Sequence, residues 1–485
     1  MAKPVFLGRR IRALRLRLGL SQAALARQLE ISPSYLNLLE HDRRPVSGAL
    51  LLELARVLDV DLRTLAADSD AELLSNLMEI FSEPLFEEHP IAAADLAAFV
   101  GGHPEIARAV LRLHQAYGAT RGSLETLGGQ LLDDQQDLGD LGALDRARLS
   151  SEQVSDFIQR NGNYFPALEA EAERLLRATG PGEADHDGDL FGRLARHLEA
   201  AHGVRVRVRT VGEMRGAVRR FDPERRELQL SELLRRGSRN FQLAAQIALL
   251  GSTAVLDELT LDPKLTGDES RALARVALAS YFAGAVLMPY GPFLRAAEAE
   301  RYDVELLGHR FRVGWEQTCH RLTTLRRPGL EGVPFYMLRV DLAGNISKRF
   351  GAAGIRFPRF SGLCSLWNVH AAFLQPGRVR VQLSRLPDGH TVLAIARTVQ
   401  RHSSGYQAPD APYAVGIGCD AADARRLVYA DGIDLDNAAA AVPIGITCRL
   451  CERADCTARA FPSLGGPLRI DENVRGVSFY APVGR

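Results

Sequence analysis

Three cysteines, Cys448, Cys451 and Cys456, lie within nine residues as C-x2-C-x4-C. Thiolates are soft donors that select zinc or iron–sulfur clusters, and three of them so close together can reach one centre. Half of the chain's six cysteines fall in this run, which is too few for a disulfide scaffold and too clustered for chance alone. A fourth ligand is expected to be Cys419, in the run Gly416-Ile417-Gly418-Cys419-Asp420 where glycines allow close backbone approach, with Cys364 as the second candidate. Arg449, Arg453 and Arg459 flank the run and suit an anionic thiolate core. The spacing is not one of the common zinc-ribbon pairs, so the reading favours a cluster, with zinc as the alternative and reduced, metal-free thiols as the plain one. Cys319 reads as an ordinary buried thiol.

A second run points to chemistry by what it lacks. Residues 239–249 lie where a zinc metallopeptidase-like regulator domain places its H-E-x-x-H helix, and residues 279–289 resemble that domain's second helix. Ala245 and Leu249 stand at the two zinc-binding histidine positions and Gln246 at the general-base glutamate. Without imidazoles four residues apart and a carboxylate, zinc is not held and water is not activated, so peptide hydrolysis is excluded here. The expectation is an apolar cleft lined by Phe241, Ala245, Leu249, Tyr281, Phe282 and Met288, suited to a small apolar ligand; taken one at a time, each is also an ordinary core residue.

These candidates depend on elements that position them. Residues 7–67 predict a five-helix DNA-binding unit. Ser21 caps a helix that runs to about Leu29, a Glu30-Ile31-Ser32 turn follows, and Ser32 with Pro33 starts the next helix. Two short helices so joined make a helix-turn-helix whose second helix enters the major groove by its N-terminal end. The expected DNA-contacting residues are Arg9, Ser21, Gln22, Ser32, Pro33, Ser34, Tyr35, Asn37, Arg43 and Arg44. Residues 1–44 carry a net charge of +6, which leaves −5 on the remainder of a chain of net charge +1; Lys and Arg supply the phosphate contacts of non-specific DNA binding. The segment resembles the Cro/cI-type (xenobiotic-response-element) helix-turn-helix family.

At 485 residues, that unit is about one-eighth of the chain. Apolar content of 46% and charged content of 25% are those of an ordinary globular chain. No apolar run predicts a membrane span, since residues 272–289 are broken by Arg275 and Tyr281, and the N-terminus has no apolar signal core, so the reading places the chain in the cytoplasm. The expected fold class is a multidomain α+β chain. Its domains are an all-α helix-turn-helix unit (1–68), a helical connector (69–130), a flexible linker (131–150), a mostly helical peptidase-like domain (151–300) and an α+β sensor domain with the cysteines (301–485). Alternation predicts strands near 204–210, 227–230, 335–340, 379–383 and 391–396.

Taken together, the helix-turn-helix, the degenerate peptidase-like helices, residues 154–158, residues 351–367 and the terminal cysteine run resemble the short-chain fatty acyl-responsive transcriptional regulators of bacteria, which control propionate, acetate and glyoxylate metabolism. The resemblance covers essentially the whole chain. It implies an acyl-coenzyme A effector in the middle region and, at the cysteines, a 4Fe–4S cluster reporting redox or iron status. Such an effector needs cations for its phosphates, an aromatic for its adenine and an apolar slot for its acyl group. Arg310, Arg312, Arg321, Arg339, Lys348 and Arg349 can supply the cations, near Trp315, Phe335, Tyr336 and Trp367; the expected ligand site is Phe241, Tyr281, Phe282, Arg310, Trp315, Arg339, Lys348 and Arg349. The expected function is a non-enzymatic, homodimeric or higher-order regulator of double-stranded operator DNA. The rivals are a peptidase-like regulator that cleaves a partner repressor and an antitoxin-like DNA-binding module.

Overall fold

The computed structural model describes residues 20–40, 69–82 and 91–114 in the N-terminal region, then 141–180, 189–352, 362–400 and 411–463 apart from a few single positions, together with isolated residues such as Ile11, Arg15, Arg44 and Leu54. The chain divides into two compact units, one made of residues 1–118, 358–361 and 449–485, the other of residues 119–357 and 362–448.

In the smaller unit, helices α1 (Gln22–Gln28) and α2 (Pro33–Glu40) form the helix-turn-helix. The Ser21 hydroxyl accepts from the Ala24 amide at 3.1 Å and the Ser32 hydroxyl from the Tyr35 amide at 3.1 Å, so both serines satisfy amides that a helix start leaves open. Between them Glu30 takes a left-handed φ of 56°. Leu25, Ala26, Leu29, Leu36 and Leu39 close a core with Ile11 and Leu54. Glu40 is buried beside it, bound by Arg15 at 2.6 and 3.1 Å and by the Gln22 amide at 2.7 Å. Helices α3 (Ser69–Ile80) and α4 (Ala93–Gly102) pack through Leu77, Ile80 and Val100.

The larger unit opens with α5 (Leu141–Arg160). Residues 141–150, expected as linker, are its first half; residues 131–140 lie outside the described residues. Helices α6 (Pro166–Thr179) and α7 (Leu190–His202) lead to a three-stranded sheet of β1 (Arg205–Arg209), β2 (Arg219–Asp222) and β3 (Glu227–Ser231), in which β3 pairs parallel with β1 and antiparallel with β2. Then come α8 (Arg236–Gly251), α9 (Thr253–Thr260), α10 (Asp268–Leu287), α11 (Tyr290–Ala299), α12 (Val304–Phe311) and α13 (Trp315–Thr323). A short hairpin, β4 (Arg326–Arg327) and β5 (Leu330–Glu331), precedes a six-stranded sheet. That sheet holds β6 (Tyr336–Asp341), β7 (Ile346–Phe350), β8 (Arg380–Arg385), β9 (Thr391–Gln400), β10 (Pro412–Asp420) and β11 (Val442–Pro443), in the order β11-β8-β9-β10-β6-β7.

One hydrophobic core joins Phe293, Leu307 and Leu322 of the helices to Ile395, Val415 and Ile417 of the sheet. The expected boundary at 300 is therefore corrected, because apolar faces on both sides of it are buried against each other. The other sheet face packs Leu338, Ala394 and Ala414 on Trp367 and Val369. Gly416 permits this approach: a Cβ there would stand 2.5 Å from Val369 Cγ1.

Candidate functional site

A cavity of about 870 Å³ opens in the larger unit. Its apolar walls come from α5 (Val154, Ile158), α8 (Phe241) and α10 (Val276, Tyr281, Gly284), and its polar wall from α13 and the β6–β7 hairpin. On that wall the Glu316 carboxylate oxygen Oε1 accepts from Lys348 Nζ at 2.7 Å and from Arg339 Nη1 at 2.9 Å. Arg339 is fixed further by a 2.9 Å bond from its Nε to Ser347 Oγ and lies over the Tyr413 ring, 4.8 Å from its centre. Arg349 pairs with Glu152 of α5. Burial would raise the Glu316 carboxyl, but Lys348 and Arg339 outweigh it and hold it below its ordinary value. One turn along α13, burial and Lys348 push the His320 imidazole down to about 4, so it is neutral near pH 7.

Beneath these, Arg321 grips Glu169 of α6 with two bonds, at 2.6 and 3.0 Å, and the Tyr281 hydroxyl donates to the same carboxylate at 2.6 Å. Both members of the ion pair are 2% exposed. Burial and the neighbouring carboxylate raise the Tyr281 hydroxyl well above its ordinary value, so it stays protonated and donating. A buried pair with all its bonds made fixes α6, α10 and α13 to one another, and losing either partner strands a charge.

Of the expected ligand residues, the cavity gathers Phe241, Tyr281, Arg339, Lys348 and Arg349. Three are corrected. Phe282 is 1% exposed and packs into the core between α8 and α10; Arg310 pairs with Glu300; Trp315 lies in the core under the Arg397 guanidinium. Among the expected cleft residues, Met288 lines the cavity whereas Ala245 and Leu249 pack into cores. Phe335, Tyr336 and Trp367 are buried in the cores that flank the six-stranded sheet, so the aromatic rings that reach the cavity are Phe165, Phe241, Tyr281 and Phe350. The sequence reading missed Glu316 and His320. Their i, i+4 spacing on an amphipathic helix is the signal that points to them.

The thiols are placed differently from one another. Cys419 on β10 points into the helix-facing core with Val415 and Ile417, and burial pushes its thiol far up. Cys364 lies on the opposite sheet face, and its amide donates to the Ile446 carbonyl at 2.9 Å, two residues before Cys448. Strand β10 thus turns the Cys419 side chain, expected as the fourth ligand, away from the segment that carries Cys448, whereas the Cys364 backbone lies beside that segment. Cys451 is buried and its carbonyl accepts from Arg459 at 2.9 Å. Soft donors of the right kind are present, but among the described residues no three His, Cys, Asp or Glu side chains converge to hold a metal ion.

Residues 11–65 match the helix-turn-helix family, residues 199–323 the IrrE N-terminal-like domain and residues 324–480 the family described as short-chain fatty acyl coenzyme A regulator, C-terminal. Two helix-turn-helix-type transcriptional regulators of Mycobacterium tuberculosis are similar over nearly their whole length. RamB is 41% identical over 98% of this chain and 98% of its own, and PrpR is 39% identical over 96% and 94%. A protein of Cereibacter sphaeroides named propionyl-CoA carboxylase regulator is 39% identical over 99% of each chain. The chain belongs to the short-chain fatty acyl-coenzyme A regulator family. A solved structure described as a Mycobacterium tuberculosis transcriptional regulator agrees in fold, with a TM-score of 0.64 and 42% identity over 69% of this chain and 99% of that one.

This member of the family is a DNA-binding transcriptional regulator and not an enzyme. Its IrrE-like segment takes in α8, where Ala245 and Gln246 are buried. On its helix-turn-helix, Ser34 and Asn37 of α2 are exposed and Tyr35 is half-buried on the core. Ser21 and Ser32 are exposed caps, with Pro33 exposed in the first turn. Arg44 is exposed, whereas Arg9 and Arg43 lie outside the described residues. Gln22 is the exception: its amide is turned inward to Glu40, so it acts in holding α1 to α2. Among the described residues no single helix is long and apolar enough to cross a membrane.

Proposed function

We propose that this regulator binds a short-chain acyl-coenzyme A in the cavity of its larger unit and, as a homodimer, reads an operator with one α2 helix per half-site. The observation that carries the reading is a single cavity with an apolar wall from α5, α8 and α10 opposite a wall bearing Arg339, Lys348 and Arg349. Apolar surface takes an acyl chain without cost, while guanidinium and ammonium groups suit phosphate oxygens. The names of the relatives, one of them a propionyl-CoA carboxylase regulator, support a propionyl-type effector. Titration calorimetry tests this: propionyl-CoA binds the purified protein more tightly than free coenzyme A does. Equal affinity for both, or binding of neither, overturns it.

An iron–sulfur cluster of the 4Fe–4S type, with zinc as the alternative, is a separate proposal. It rests on the donor chemistry of Cys448, Cys451 and Cys456 together with the nearness of Cys364 to Cys448. No step of effector or operator binding is routed through it. An iron and zinc analysis of protein purified without oxygen tests it, and the absence of both metals overturns it.

A further inference from the structure

Two cations meet at one carboxylate oxygen in the cavity. Lys348 and Arg339 both bond Glu316 Oε1, at 2.7 and 2.9 Å. The Glu316 side chain is 26% exposed and lines the cavity rather than being sealed under it. The carboxylate shared by Arg321 and Tyr281 of the cavity wall is held differently. Glu169 is 2% exposed, takes both of its bonds to Arg321 and accepts a third from Tyr281, so it is sealed in place. Glu316 has the opposite character: one oxygen serves two cations, and the pair of positive charges exceeds the single negative one. Neutral His320 on the next turn of α13 adds no charge to that balance at pH 7.

We infer that Glu316 is a built-in stand-in anion, occupying the position between Arg339 and Lys348 that a phosphate group of the effector takes when it binds. The inference rests on the acyl-coenzyme A reading above and adds how the site is regulated. A free cavity with two unneutralised cations would bind any cellular phosphate. The carboxylate supplies an intramolecular competitor, so only a ligand that also fills the apolar wall displaces it. The exchange conserves hydrogen bonds on Arg339 and Lys348 and frees the Glu316 carboxylate to turn toward water, which its partial exposure allows. Arg339 also bonds Ser347 and stacks on Tyr413. A change of its partner is therefore felt by β7 and β10 together.

The test is calorimetric titration of the full chain with inorganic pyrophosphate and, separately, with propionyl-CoA, comparing the unmodified protein with Glu316→Gln and Arg339→Gln. The expected result is about fivefold or more tighter pyrophosphate binding by Glu316→Gln, and weaker binding by Arg339→Gln. The gap between Glu316→Gln and the unmodified protein shrinks as salt rises from about 50 to 500 mM. Pyrophosphate affinity that is unchanged or weaker in folded Glu316→Gln overturns the inference. Should Glu316→Gln fail to fold, Glu316→Asp, whose shorter side chain withdraws the carboxylate, is read in the same way. Tighter pyrophosphate binding by the variant, with no propionyl-CoA binding by the unmodified protein, overturns the effector reading and keeps the exchange. Normal propionyl-CoA binding with no effect of the variant on pyrophosphate overturns the exchange alone.

Discussion

His320 shows how one half-buried side chain sets a pH limit. Its imidazole faces the cavity among Glu316, Arg321 and Lys348, and burial with Lys348 lowers it to about 4. In the unfolded chain it titrates near 6.5. Between those values the unfolded state binds the proton and the folded state does not. Stability is therefore whole above about pH 6.5 and is lost as pH falls toward 4, by roughly 1–3 kcal/mol. Thermal melts at neutral pH and near pH 4.5 check this: His320→Gln loses less stability between them than the unmodified protein, and parallel losses would sink the idea. The thiols give a second residue-scale prediction. If a metal binds the terminal run, Cys364→Ala removes the visible absorbance and metal content of anaerobically purified protein, while Cys419→Ala leaves both. The reverse pattern restores Cys419. Spacing singled out the three terminal thiols, but only the facing of β10 distinguishes the two candidates for a fourth, because alternation along a strand assigns opposite faces without saying which face the later chain will cross.

At the scale of elements, the sequence carried the strongly patterned parts. The cap serines of α1 and α2, and the strands at 205–209, 227–231, 336–341, 380–385 and 391–400, stand close to where alternation and turn chemistry put them. Strand β10 was not legible, since Ala-Val-Gly-Ile-Gly-Cys lacks polar alternation: both its faces are covered. The run 141–150 reads as linker because it continues an Asp- and Gly-rich stretch (Asp133, Asp134, Asp137, Gly139, Asp140, Gly142) whose composition masks the leucines of the helix that follows. The cavity residues on α8 and α10 were found through their resemblance to a peptidase frame, whereas Glu316 was hidden because a carboxylate on an amphipathic helix usually faces water. Helix α10 yields a prediction of its own. Gly284 lines the cavity, and a Cβ added there meets nothing within 4 Å. Glycine in a helix interior costs about 1 kcal/mol relative to alanine, so Gly284→Ala raises stability to urea by about that amount. Gly284→Leu projects into the cavity and weakens propionyl-CoA binding at least about tenfold; full affinity in that variant would show that the acyl chain lies elsewhere.

At the scale of the whole molecule, the charge is divided by function. The first 44 residues carry +6 and the remaining chain −5, so operator affinity is concentrated in the helix-turn-helix and falls steeply with salt. The cavity proposed for the effector belongs to the other unit. Any influence of one on the other is a coupling free energy, and such couplings typically amount to about 1–3 kcal/mol, a 5–150-fold change in affinity. Thermodynamic linkage then makes a demand that needs no knowledge of the route between the sites. Whatever factor propionyl-CoA applies to the operator dissociation constant, saturating operator DNA must apply to the propionyl-CoA dissociation constant, in the same direction. Fluorescence anisotropy of labelled operator with and without propionyl-CoA gives the first factor, and calorimetric titration of propionyl-CoA into protein with and without operator gives the second. Equal factors of about five or more establish propionyl-CoA as a regulatory ligand, and their loss in Gly284→Leu assigns that role to the cavity. A factor of one in both directions leaves propionyl-CoA a bound molecule without a regulatory role. Unequal factors mean that a further equilibrium, such as a change of oligomeric state on DNA, takes up the difference, and repeating the titrations at several protein concentrations exposes it.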